Sequence, residues 1–175
     1  MSTILKLIAF DLDGTIWAPE MYELWGGGSP FSIKSPSVLL DKRKTEVTLL
    51  GKSHEILSML SLQKQDIKIA FVSTCDEPDW ANECLQKFKL TTGKPIKSIV
   101  DVNLIYKANK RDHFMKLKQQ YPEIEYKEML FFDNQINNIS DVSRIGVECL
   151  YCPDGLTKEA WEKGLSKFDQ VKMTA

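Results

Sequence analysis

The chain has only two histidines, almost no net charge and no long apolar run, and each shortage removes a class of function. Without a stretch of about 18 apolar residues there is no candidate membrane-spanning helix. Met1-Ser2-Thr3 leads straight into an apolar strand and leaves no room for a signal peptide, so a cytoplasmic location is expected, with the nucleus also open. A formal net charge of −1 gives no long-range attraction, so neither nucleic acid nor a membrane surface is an expected partner. Cys75, Cys84, Cys149 and Cys152 lack a disulfide-rich context and are expected as reduced thiols. Cys149 and Cys152 form a single CxxC in a strand-like segment, with neither the second ligand pair of a zinc site nor the helix of a redox motif. Gly26-Gly27-Gly28 lacks the GxxxxGK[ST] spacing of a P-loop. His54 and His113 fall inside predicted helices and are poor catalytic candidates, and Trp80 and Trp161 read as packing residues.

A length of 175 residues with 43% hydrophobic content suits one core, and a single domain over 1–175, present as a monomer, is expected. Strand patterns near 4–10, 67–72, 97–101, 128–132 and 147–151 alternate with helical patterns over 52–64, 77–88, 109–120, 136–144 and 157–167. This βα alternation predicts a mostly parallel, Rossmann-like sheet covered on both faces, a three-layer α/β/α sandwich. Residues 16–50 break the rhythm. Val38-Leu39-Leu40 and Glu46-Val47-Thr48-Leu49-Leu50 flank the turn-like Asp41-Lys42-Arg43-Lys44, which predicts a small β-hairpin flap.

The chemistry-bearing residues follow apolar runs. Leu7-Ile8-Ala9-Phe10 offers no polar face, as in a strand buried on both sides, and Asp11-Leu12-Asp13-Gly14-Thr15 comes next. With a side-chain period of two, extended backbone through Asp13 would aim both carboxylates the same way. Such a pair alone also fits a solvated turn. Ile67-Lys68-Ile69-Ala70-Phe71-Val72 precedes Ser73-Thr74, where the hydroxyls can cap a helix or bind an anion. Lys107 lies just before the helix over 109–120 and Lys110, Lys116 and Lys118 lie inside it, where most lysines are solvated. Met129-Leu130-Phe131-Phe132 ends in Asp133-Asn134, with Asn137, Asn138 and Asp141 beyond.

The strand followed by DLDGT resembles the first motif of the haloacid dehalogenase-like (HAD) phosphohydrolase superfamily. The likeness narrows to the magnesium-dependent phosphatase family, small members without a large cap domain. It rests on Trp17, Ala81-Asn82, Phe131-Phe132-Asp133, Asn138-Ile139-Ser140-Asp141-Val142 and Gly146-Val147, and runs from about Lys6 to about Phe168. The resemblance implies Asp11 as nucleophile, forming an aspartyl-phosphate, and Asp13 as general acid and then base. It implies that Ser73, with Thr74, binds the phosphoryl group and that Lys110 neutralises it, Lys107 being the fallback. Mg²⁺ would be held by Asp11, the Asp13 carbonyl, and Asn134 or Asp133. Four positions depart from the family: Asn134 replaces a second acid, Gly14 stands where Tyr is usual, and Thr74-Cys75 replaces an Arg-Thr pair. The implied function is a Mg²⁺-dependent phosphomonoesterase acting on phosphoprotein, phosphotyrosine included, or on small sugar phosphates. A phosphotransferase, or a phosphate- or protein-binding module with weakened turnover, is the alternative.

Overall fold

Leu7, Ile8, Ala9 and Phe10 have no solvent exposure, and their strand is the middle of the molecule. In a computed structural model, which describes residues 3–64, 66–169 and 173, the chain runs β1 (Leu7–Phe10), β2 (Trp17–Ala18), β3 (Ser32–Ser35), β4 (Val38–Leu40), β5 (Glu46–Leu49), α1 (Ser53–Gln63), β6 (Lys68–Ser73), α2 (Pro78–Lys87), β7 (Val102–Ile105), α3 (Lys110–Gln120), β8 (Met129–Asp133), α4 (Ile136–Ser143), β9 (Glu148–Tyr151) and α5 (Lys158–Leu165). The main sheet has the order β7-β6-β1-β8-β9, with every pairing parallel. Alternation sends Ile8 and Phe10 into one core with side chains of α1, α2, α5 and the smaller sheet, and Leu7 and Ala9 into a second core with Phe114 and Leu117 of α3 and Val142 of α4. This is the expected three-layer arrangement. No helix of the described residues is long and apolar enough to cross a membrane.

One predicted strand is displaced. Ile96–Ile99 forms a turn of 3-10 helix, and the edge strand comes later, at Val102–Ile105. Ile96 and Ile99 are both buried, and a spacing of three places them on one face of a 3-10 turn. Asp101 stands just before the strand: its carboxylate accepts from the Ile69 N–H at 2.9 Å and pairs with Lys64 at 2.8 Å.

The predicted hairpin is present as β4 and β5, but it is the middle of a four-stranded antiparallel sheet of order β2-β5-β4-β3. It is also part of the core, with Trp17, Leu39 and Val47 fully buried. Its turn is organised by Asp41, whose carboxylate accepts from the backbone N–H groups of Gly28 (3.0 Å), Arg43 (2.8 Å) and Thr45 (2.8 Å). A Cβ on Gly27 would lie 2.2 Å from Asp41 Oδ2, so only glycine admits this approach. Burial alone would raise the Asp41 pKa, and the three donors outweigh it and hold the carboxyl below its ordinary value. Asp41→Ala leaves those donors without an acceptor and is expected to cost about 1–3 kcal/mol. Because the folded pKa is depressed, this stability is present above the ordinary carboxylate range and lost as pH falls through the folded value. Urea denaturation of both proteins near neutral pH and near pH 3 should therefore show a gap that closes in acid.

Candidate active site

Asp11 follows β1, Ser73 ends β6, Lys110 opens α3 and Asp133 ends β8. The carboxyl ends of parallel strands are where an open α/β sheet places its ligand crevice, and here Asp11, Asp13, Ser73, Thr74 and Lys110 line one cavity of about 330 Å³. Glu20 and Tyr22, the cap and second residue of a 3-10 turn over Met21–Leu24 that the sequence reading did not anticipate, also line it.

The floor is an ion triad. Lys110 Nζ donates to Asp11 Oδ1 and Asp133 Oδ2, each at 2.8 Å, and the lysine is only 2% exposed. Lys107, by contrast, has a side chain 78% exposed on an ion pair with Asp76. Asp133 is fully engaged: Oδ2 also accepts from Asn138 Nδ2 (3.0 Å), and Oδ1 accepts from the Gln135 N–H (2.8 Å). Burial raises the Asp11 pKa, opposed by the Lys110 charge and assisted by that of Asp133. Burial works against the Lys110 ammonium too, but Asp11 and Asp133 outweigh it and its pKa is raised.

The second oxygen of Asp11 faces elsewhere. Thr15 Oγ1 donates to Asp11 Oδ2 at 2.9 Å. The Asn134 amide can turn its nitrogen to Asp11 Oδ2 (3.0 Å) and the Asp13 carbonyl oxygen (3.2 Å) and donate to both. Turned the other way, its oxygen joins a carboxylate and a carbonyl in an all-oxygen cluster, the donor chemistry that hard divalent cations select. Asn134 reaches this point because Gly14 lacks a Cβ, which would lie 2.3 Å from Asn134 Nδ2. Two departures from the resembled family, Gly14 and Asn134, are thus one packing arrangement.

Asp13 is held by an indole: Trp17 Nε1 donates to Asp13 Oδ1 at 2.7 Å. Burial pushes the Asp13 pKa up to about 6, the Trp17 bond pulling the other way. Trp17→Phe removes that pull, so the pH limb belonging to Asp13 is expected to move to higher pH. A pH–kcat/KM profile of the two proteins checks this, and superimposable limbs would mean that Asp13 does not set the profile.

Sequence reasoning named Asp11, Asp13, Ser73, Thr74, Lys110, Asp133 and Asn134, and the fold gathers all of them at one end of the sheet. The Thr74 hydroxyl is committed to the Ala108 carbonyl at 2.6 Å, whereas Ser73 is buried at the cavity. The support that Trp17 and Asn138 give was missed; the four-residue spacing Asp13–Trp17 was the available signal for the first of these. His54 bonds to the Lys89 carbonyl, away from the cavity. Burial pushes the Cys149 and Cys152 thiols up to about 12, so the CxxC presents no reactive thiolate.

A family model described as Acid Phosphatase matches residues 3–171. The chain belongs to that acid phosphatase family. Within it, the chain is 32% identical to Magnesium-dependent phosphatase 1 of Homo sapiens, over 98% of this chain and 92% of the relative. It is 33% identical to a HAD-like hydrolase superfamily protein of Schizosaccharomyces pombe, over 83% of this chain and 84% of that one. Its fold is similar to that of the crystallised N-terminal part of a Bacteroides fragilis protein containing a phosphatase domain complexed with Mg. That likeness has a TM-score of 0.64 at 16% identity and covers 99% of this chain and 42% of the other. The likeness to HAD-like, magnesium-dependent phosphatases that begins at the DLDGT segment therefore holds.

Proposed function

We propose that this acid phosphatase family member is a Mg²⁺-dependent phosphomonoesterase that works through an aspartyl-phosphate on Asp11. The observation that carries the reading is the division of labour on Asp11: one oxygen on the buried Lys110, the other facing the Thr15 hydroxyl and the Asn134 amide, which also reaches the Asp13 carbonyl. A carboxylate attacking an anionic phosphoryl group is resisted by charge, and both partners must be neutralised. Lys110 supplies one positive charge. Mg²⁺, held by Asp11, the Asp13 carbonyl and the Asn134 amide oxygen, would supply the rest as a Lewis acid. Asp133 is saturated by Lys110, Gln135 and Asn138 and serves to hold the lysine in place.

In the first step Asp11 forms a bond to phosphorus as the ester bond breaks, and Asp13 gives its proton to the leaving oxygen. In the second, Asp13 takes a proton from water, the water oxygen attacks phosphorus, and Asp11 leaves as a carboxylate with inorganic phosphate. A carboxyl with a pKa near 6 suits both duties near neutral pH. Ser73 and Lys110 hold the phosphoryl oxygens. The cavity is open and rimmed by Glu20 and Tyr22, which suits phosphoprotein, phosphotyrosine included, or small sugar-phosphate substrates met by a monomer. A phosphate-release screen over phosphosugars, nucleotides and phosphopeptides, with and without Mg²⁺, tests the reading. Absence of release from every class at every Mg²⁺ concentration would overturn it.

The metal assignment has its own expected result. Asn134→Asp adds a negative ligand and should lower the Mg²⁺ concentration for half-maximal activation, while Asn134→Ala should raise it, because affinity for hard cations rises with ligand charge. Activation curves that coincide with wild type would place Asn134 outside the metal's ligands.

A further inference from the structure

His113 stands one turn along α3 from Lys110, has no solvent exposure, and lies outside the cavity lining. Its Nε2 is 3.2 Å from the Tyr106 carbonyl oxygen, and the two rings pack with centroids 4.6 Å apart. A carbonyl only accepts, so the bond requires the hydrogen on Nε2 and leaves Nδ1 bare. Nδ1 is indeed a buried atom without a partner among the described residues. An apolar ring would not strand a polar atom there, so what distinguishes histidine from phenylalanine at this position is the bond to Tyr106.

Tyr106 belongs to the loop between β7 and α3, and that loop is tied to both phosphate-facing elements. The Tyr106 N–H donates to the Ser73 carbonyl (3.1 Å), and Thr74 Oγ1 donates to the Ala108 carbonyl (2.6 Å). Asn109 then caps α3, its side chain accepting from the Asp112 N–H at 3.0 Å, and Lys110 is the next residue. Two hydrogen bonds thus tie the Ser73-Thr74 segment to the loop that leads through the Asn109 cap into Lys110, and His113 holds the same loop at Tyr106.

We propose that His113 is a positioning residue that fixes the Tyr106–Asn109 loop and thereby sets the spacing of Ser73 and Lys110 for a phosphoryl group. The proposal rests on the phosphatase reading for its ligand and concerns a residue that never touches the substrate. Burial and the Lys110 charge lower the His113 pKa to about 4, so the ring is neutral in the working range, as a single Nε2–H tautomer requires.

Ring ¹⁵N shifts of the wild-type protein should report the Nε2–H tautomer; a hydrogen on Nδ1 would overturn the proposal. His113→Phe keeps the ring and removes the donor. It should weaken binding of inorganic phosphate, and raise KM, by about three- to tenfold, the worth of one hydrogen bond. The Mg²⁺ activation midpoint and the melting temperature should stay where they were or, for the latter, rise. His113→Gln restores an N–H of similar reach and should bind phosphate within about twofold of wild type. A folded Phe variant with unchanged phosphate affinity would overturn the proposal, as would a Gln variant weakened as much as the Phe variant. A purely structural role would lower the melting temperature without moving phosphate affinity. Affinity is read by calorimetry, which needs no turnover, so an inactive wild type would count against the phosphatase reading alone.

Discussion

Asp11→Asn is expected to abolish turnover and leave the fold intact, with kcat reduced by about 10⁴-fold or more. The amide has the shape of the carboxylate and still offers an oxygen to Lys110, but it cannot act as the nucleophile. Phosphate should bind the variant at least as well as wild type, since one negative charge facing the anion is gone. Single-turnover assays and calorimetry together check this, and substantial residual hydrolysis by purified, folded protein would remove Asp11 from its proposed role. The same variant has a stability signature. Because the Asp11 pKa is raised, to about 7, its contribution to stability is fully present below the ordinary carboxylate value and declines as pH rises through about 7. The metal-free Asn variant should lack that decline, so the two unfolding curves should draw together in acid and separate above neutrality.

Lys110→Met should be damaging twice over. Its ammonium lies between Asp11 and Asp133 with a side chain 1% exposed, and removing one partner of a buried ionic group leaves uncompensated charge at a cost of about 3–5 kcal/mol. Methionine keeps an unbranched apolar stem and loses the ammonium, which lies 5.4 Å from the centroid of the Phe131 ring, so the loss reports charge rather than volume. Turnover should fall by about 10³-fold or more, since the phosphoryl charge loses its buried counter-charge. Lys107→Met, which removes an exposed ion pair, should leave both quantities close to wild type. Denaturation and kinetic measurements on the two variants decide the matter: equal effects would mean that the fold has no privileged lysine.

The sequence revealed the centre of this fold better than its edges, for a physical reason. Leu7–Phe10 and Met129–Phe132 are buried on both faces and therefore read as unbroken apolar runs. Trp17–Ala18 is too short to carry a period, and Ser32–Ser35 is polar and mostly exposed, so β2 and β3 exist only because β4 and β5 offer them edges. Ile96 and Ile99 have strand composition, but their spacing serves a 3-10 turn. In the site, the pair Asp11 and Asp13 and the hydroxyl of Ser73 were legible because they end apolar strands. Choosing Lys110 among its neighbours needed the family resemblance, and the reach of Asn134 over Gly14 needed coordinates, since residues 120 positions apart leave no local pattern.

The two-faced packing of β1 also dictates where this chain can be spliced. Adding or deleting one residue between Leu7 and Phe10 would exchange the faces. It would take the Phe10 ring from its stack on Phe132, 5.5 Å between centroids, into a place shaped for alanine, and would shift Asp11 by about 3.3 Å, one strand step. The turn Thr91–Gly93 is the opposite case: it is exposed, and a side chain built on Gly93 would meet nothing within 4 Å. A fluorescent reporter or affinity tag belongs there, in a turn that lines no part of the carboxylate cavity, where chain length is not coupled to catalytic register.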